Sequence, residues 1–187
     1  MLVLPRMQWH LIFLVLNKLM SKLQWGVLTV WIAFTLSAFG YLIKDRLVEF
    51  DESNKLAGVG NQELSGYLLP YAKPANMTGQ KTLLHFSTPS CKCQQYSEKH
   101  IKDLNKLAGA NDFLIKNVVI NEHNVIPSTP SVALIDESGE VVYFGPYGQG
   151  LACSQTSGYA QTMLNNYLKG YAANLVVKEA KGCYCNV

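Results

Sequence analysis

Cysteine is the residue type in this chain best placed to do chemistry. Five are present, Cys91, Cys93, Cys153, Cys183 and Cys185, and four of them fall in two Cys-x-Cys pairs. Cys91-Lys92-Cys93 follows an apolar run, Thr82–Ser87 (TLLHFS), and the turn-forming Thr88-Pro89-Ser90, where a strand gives way to a helix. The first turn of a helix has unpaired N–H groups and the positive end of the helix dipole, and Lys92 adds a cation. Each favours the thiolate, the form of cysteine that attacks a disulfide. A buried cysteine is more often an inert packing residue, but two thiols together at a helix start weigh towards reactivity.

Cys183-Tyr184-Cys185 is on a short C-terminal tail. A mobile tail of this kind either closes its own disulfide or swings across to exchange with Cys91 and Cys93. An odd cysteine count leaves one thiol free or paired between molecules. The two pairs together are also four soft thiolates suited to Cu(I) or Zn(II). Their spacing is shorter than the Cys-x₂-Cys of zinc sites, so copper ranks second to redox chemistry, and no other cofactor is expected.

The elements that must position these thiols are legible in outline. A helix is expected from Cys91 to Ala108, with Ile101, Leu104 and Ala108 on one face and Gly109 as its stop. Phe113–Ile120 reads as a strand, and Ser131–Ile135 and Glu140–Phe144 around Asp136-Glu137-Ser138-Gly139 as a hairpin. Ala160, Leu164, Tyr167, Leu168, Tyr171 and Leu175 fall at helical spacing, predicting a last helix that ends near Val177. Leu64, Tyr67, Leu68 and Leu69 begin a short helix that Pro70 and Pro74 should break. The order β-α-β-β-β-α predicts an α+β fold, a mixed sheet flanked by helices.

The remaining quarter of the chain is of another kind. The protein has 187 residues, 49% hydrophobic and 16% charged, with a net charge of +3. Residues 1–44 carry Arg6, Lys18, Lys22 and Lys44 and no acid, so the rest of the chain is slightly acidic. That distribution excludes a disordered polar chain, a multi-span transporter and a basic nucleic-acid binder. Trp25–Ile43 has no charge over 19 residues, about 28 Å of helix, with Trp25 and Tyr41 at its ends. It is expected to be an uncleaved membrane anchor, although Ala38-Phe39-Gly40 is a passable signal-cleavage site. Trp9–Leu16 is too short to span and suits the membrane surface. Lys/Arg counts on the two sides tie, so orientation rests on the cysteines: disulfide chemistry suits an oxidising compartment, outside an N-in anchor.

On Cys91 and Cys93 at a helix start, the Ile126-Pro127-Ser128-Thr129-Pro130-Ser131 stretch and the hairpin VALIDESGEVVYFG, residues 81–177 resemble the thioredoxin-like superfamily. The resemblance implies a thioredoxin-like sheet and a cis proline at Pro130 facing the redox cysteines. It also implies that the backbone of Thr129 holds the substrate chain. Cys91 then matches the nucleophile, with Cys93 resolving the mixed disulfide, or Cys153, since the loop before the last helix lies near the redox site; a free thiol is the equal alternative for Cys153. By its layout the whole chain looks like a membrane-anchored thioredoxin-like protein of a bacterial envelope, its domain in the periplasm.

Departures from that pattern matter. The superfamily usually has Cys-x-x-Cys, and the shorter ring of a Cys91–Cys93 disulfide would be strained, favouring oxidase or isomerase action. The helix usual between the second strand and the proline has only Asn121–Ser128 to form in. His85 stands where thioredoxins bury an acid, either as a proton shuttle or as a satisfied core histidine. Partners are expected to be protein thiols and disulfides and, through the helix, the membrane, with no nucleic acid; a redox-inactive binding module remains a further alternative. Asn76-Met77-Thr78 matches the glycosylation sequon by three residues only. The expected layout is an N-terminal segment over 1–24, the anchor over 25–43, a polar tether and extension over 44–80, the domain over 81–177 and the tail over 178–187.

Overall fold

The computed structural model describes residues 21–44, 47–72, 79–150, 158–171 and 174–187. The surface segment Trp9–Leu16, the sequon at Asn76 and Cys153 lie outside the described residues. The chain divides into two compact units, Met1–Asp45 and Arg46–Val187.

The first unit contains helix α1 (Lys22–Lys44). Its stretch Lys22–Leu42 is long and apolar enough to cross a membrane, and none of it is buried by protein. The Thr29 and Thr35 hydroxyls donate to the Trp25 and Trp31 carbonyls one turn back, each at 2.8 Å. Such back-bonding satisfies a hydroxyl inside the helix, as an apolar solvent requires.

The second unit is built on a five-stranded mixed sheet. Its strands are β2 (Thr82–Ser87), β3 (Leu114–Val119), β5 (Ser131–Ile135), β6 (Val141–Pro146) and β7 (Leu175–Val176), in the order β3-β2-β5-β6-β7. β2 runs parallel to β3 and antiparallel to β5, and β5 and β6 form the hairpin expected around Gly139. β2 is buried over nearly its whole length because both faces of the sheet are covered. Alternation then sends its side chains into two cores. Leu84 and Phe86 join a cluster with Phe50, Leu56, Leu64, Leu68, Ile126, Phe144 and Tyr184. Leu83 joins the opposite cluster, with Leu104, Val132, Tyr147 and Leu164. Helix α2 (Asn61–Ala72) covers the first face; α3 (Gln94–Gly109) and α4 (Tyr159–Leu168) cover the second.

Several expectations are corrected by this packing. α2 continues through Pro70, which sits in its last turn, so the helix ends two residues after it and little of the ladder lies beyond. α3 starts at Gln94 and not at Cys91. The last helix ends at Leu168; Leu175 joins strand β7, which pairs parallel with β6, so the helical spacing does not extend through residues 171–177. Residues 47–60, expected to be tether, are folded onto the domain. β1 (Val48–Glu49) pairs with β8 (Lys181–Gly182), and Phe50 and Leu56 are fully buried. The polar appearance of this stretch conceals two apolar anchors held by a turn, in which the Asp51 carboxylate accepts from the Lys55 and Leu56 N–H groups at 2.8 and 2.9 Å.

Two large side chains buried in this way separate a core element from a tether energetically. Phe50→Ala should destabilise the full chain in mild detergent by about 3–5 kcal/mol in urea unfolding followed by near-ultraviolet dichroism. A loss below about 0.5 kcal/mol is what a tether residue gives.

Candidate redox site

The site forms where β2 ends. Thr88-Pro89-Ser90 makes a turn closed by the Cys91 N–H on the Thr88 carbonyl at 3.0 Å. Gln94 N–H donates to the Cys91 carbonyl at 3.3 Å and Tyr96 N–H to the Cys93 carbonyl at 3.1 Å, and α3 begins. Cys93 is the N-cap residue, two residues after the helix start expected at Cys91. Both thiol-bearing residues are thus placed immediately ahead of the helix, at the positive end of its dipole.

The Thr129–Pro130 peptide bond is cis. The Thr129 hydroxyl donates to the Thr88 hydroxyl at 3.0 Å, tying this step to the strand–helix turn. The Thr129 carbonyl oxygen is 3.5 Å from the Cys91 sulfur. Thr129 and Pro130, singled out with Cys91 from the sequence, therefore stand beside it.

Cys91 and Cys93 are not bonded to each other. Cys91 is paired with Cys185 and Cys93 with Cys183, across 94 and 90 residues. The strained Cys91–Cys93 ring is replaced by two disulfides joining the two Cys-x-Cys segments side by side. The Cys91, Cys93 and Cys185 sulfurs lie within 4.8 Å of one another. Cys183 and Cys185 are partly exposed, whereas Cys91 and Cys93 are buried.

The tail is folded along its length. The Phe50 N–H bonds to the Ala180 carbonyl at 2.8 Å, β8 pairs with β1, and Gly150 N–H reaches the Lys181 carbonyl at 2.8 Å. Strand β9 (Cys185–Asn186) pairs antiparallel with β4 (Ser128–Thr129), placing Cys185 opposite Thr129. Val187 N–H donates to the Pro127 carbonyl at 3.0 Å, and the Lys55 ammonium donates to the Val187 main-chain oxygen and, at 2.9 Å, to that of His123. Between the two cysteines, Tyr184 is buried edge-on against Phe50, and its hydroxyl donates to the Gly148 carbonyl at 2.6 Å. The Tyr184 ring folds back over Gly182, where a Cβ would lie 2.6 Å from it.

His85 is buried on β2, stacked on Tyr147, with Nδ1 2.5 Å from the Tyr147 hydroxyl and Nε2 2.7 Å from Asn105 Oδ1. Since Asn105 Oδ1 only accepts, Nε2 carries the proton and Nδ1 accepts from the tyrosine. Burial pushes the imidazole below its usual pKa, opposed by the Asn105 bond. Both ring nitrogens are engaged, which is the satisfied core histidine. His123 Nδ1 accepts from the Val125 and Ile126 N–H groups, both at 3.2 Å, and burial and then the Lys55 charge lower its pKa as well.

Sequence reasoning located the Cys91 turn and the Thr129–Pro130 step but missed the partners that Tyr184, Phe50 and Lys55 bring. One signal was present: two motifs of equal spacing can pair rung by rung.

Residues 61–187 match the model of a family described as a domain of unknown function, DUF6436. The chain belongs to that family. No curated protein matches it. The matched region contains α2, the whole five-stranded sheet and all four bonded cysteines.

Two outcomes follow from this geometry. With folded pKa values below the unfolded value near 6.5, His85 and His123 contribute stability that is present above that pH and lost as pH falls below it. The melting temperature of the full chain should therefore drop between pH 7 and pH 5, and a His85→Gln/His123→Gln variant should flatten the slope. The disulfides are nested, so the second to form closes a ring of only six residues, 91–93 and 183–185. By loop-closure entropy, losing either pair costs about 2 kcal/mol, and losing both costs about 4.5 kcal/mol more. Urea unfolding of Cys91→Ala/Cys185→Ala and of the fourfold variant measures both.

Proposed function

We propose that the chain is a membrane-anchored, thioredoxin-like thiol–disulfide oxidoreductase of a bacterial envelope, with Cys91 and Cys93 as its reactive pair. The observation that carries this reading is two disulfides stacked at the start of α3 and against Thr129–Pro130. As staples they are redundant, because one already closes the long loop. As an exchange site they are well arranged, since a pair at a helix start has a stabilised thiolate to release. The strand order, the cis proline and the helix start together support the thioredoxin-like reading, and α1 supports an anchor.

The chemistry is sequential exchange. An incoming thiolate attacks the more exposed sulfur side, at Cys185 or Cys183. The old S–S bond breaks, and Cys91 or Cys93 leaves as a thiolate next to the helix N-terminus. A second thiol of the same partner then attacks the mixed disulfide, so the partner leaves oxidised and the chain holds two more thiols. Two such rounds reduce both disulfides by four electrons and oxidise two dithiols, and the reverse reaction reduces a client disulfide while the chain's own re-forms.

A second reading has its own observation: three sulfurs within 4.8 Å, with Cys183 bonded to one of them. In the fully reduced chain these four thiolates are a donor set for Cu(I), a state exclusive of the disulfides.

Full-length chain in detergent, equilibrated in dithiol/disulfide buffers and alkylated, decides between these readings. Four new thiols should form and vanish reversibly without unfolding, and Cys91→Ser should leave Cys185 unable to re-pair with position 91. Disulfides that yield only on denaturation identify staples. Stoichiometric copper on the reduced chain, lost with Cys91→Ser and with Cys185→Ser, identifies the metal site.

A further inference from the structure

The C-terminal segment occupies the edge where an exchange partner would lie, and the way it is held specifies what that edge recognises. Cys185 sits opposite Thr129 in an antiparallel ladder, with its sulfur on Cys91. The residue before it, Tyr184, fills a pocket against Phe50 and reaches the Gly148 carbonyl. The residue after it, Asn186, exchanges side-chain bonds with Ser128 at 3.0 Å and Glu52 at 3.2 Å. Val187 is held through its main chain by Pro127 and Lys55. Four consecutive residues thus each have their own contacts, and the main-chain bonds demand an extended segment.

We propose that residues 181–187 are a tethered substrate arm, docked when oxidised and released on reduction. The edge it vacates takes extended polypeptides of the pattern aromatic–Cys–polar–aliphatic. This rests on the exchange reading above and adds to it a substrate class and a reason for the second Cys-x-Cys. Release follows from the covalent balance: when two partner dithiols have been oxidised, one for each disulfide, all four cysteines are thiols. The arm is then held by non-covalent contacts alone, two short β-pairings, the Tyr184 ring and a few single hydrogen bonds, so a segment of the same pattern competes for the edge. Tyr184 is the specificity anchor, because a buried aromatic ring whose hydroxyl is bonded is the contact in this footprint costliest to lose.

Two measurements test the proposal. In the wild-type full chain in detergent, tryptic cleavage after Lys181 should rise at least about tenfold when the disulfides are reduced, as undocking by one decade of population requires. Equal protection in both states overturns the release. For recognition, pre-reduced Cys183→Ser/Cys185→Ser chain is mixed with the peptide Lys-Gly-Ser-Tyr-Cys-Asn-Val, its cysteine carried as a mixed disulfide with 2-thiopyridine. The Cys91 thiolate attacks the peptide sulfur, the bond to thiopyridine breaks, and released thiopyridone reads the rate while mass spectrometry maps the adduct. Reaction at Cys91 should be at least about tenfold faster than for the same peptide with serine in place of tyrosine. Equal rates for both peptides and for the 2-thiopyridyl disulfide of free cysteine overturn the recognition while leaving exchange standing. A Cys91 that none of the three reagents modifies in the folded chain defeats the exchange reading itself.

Discussion

The covalent tie between two Cys-x-Cys segments is the constraint on which the domain's arrangement depends. It joins the turn after β2 to the end of the chain, across 94 and 90 residues, and so closes a loop containing nearly the whole sheet. Once that loop is closed, β8 can lie on β1 and β9 on β4. Those two-residue pairings have few hydrogen bonds of their own. Short edge pairings are marginal alone; here they are held at high effective concentration by sulfur and by Tyr184. The same tie joins the buried Cys91 and Cys93 to the partly exposed Cys185 and Cys183.

The tail also explains why residues 47–60 are folded. Phe50 needs an apolar partner on its outer side, and Tyr184 provides it edge-on at 5.4 Å between ring centroids. Ala180, Lys181 and Gly182 complete the backbone bonding of the chain around Val48 and Phe50. The two ends of the domain therefore stabilise each other, and the two bonded cysteines of the tail flank the ring that joins one of the two cores.

His85 illustrates how packing settles a role that residue type leaves open. An imidazole on the strand leading to Cys91 is by residue type a candidate proton carrier. Its neighbours Tyr147 and Asn105 use both nitrogens, and burial lowers its pKa, so its part is to satisfy the polar centre of the second core.

From the residues alone came the apolar span, the buried strand TLLHFS, the hairpin around Gly139, the cysteines at a helix start and, through a family resemblance, the step at Thr129–Pro130. These are local matters: periodicity, turn chemistry and motif order are written within a few residues of where they act. The α+β order with a mixed sheet followed from the same signals. Tertiary structure alone decided which cysteines pair, that Phe50 and Leu56 are core, that Leu175 is strand and not helix, and that Cys185 lies opposite Thr129. Each depends on contacts between segments far apart in sequence. Periodicity at Leu175 is silent about the free edge of β6 that takes it up, and two equal Cys-x-Cys motifs are compatible with pairing within or between them. Only the sheet, by bringing both motifs to one edge, chooses between those pairings.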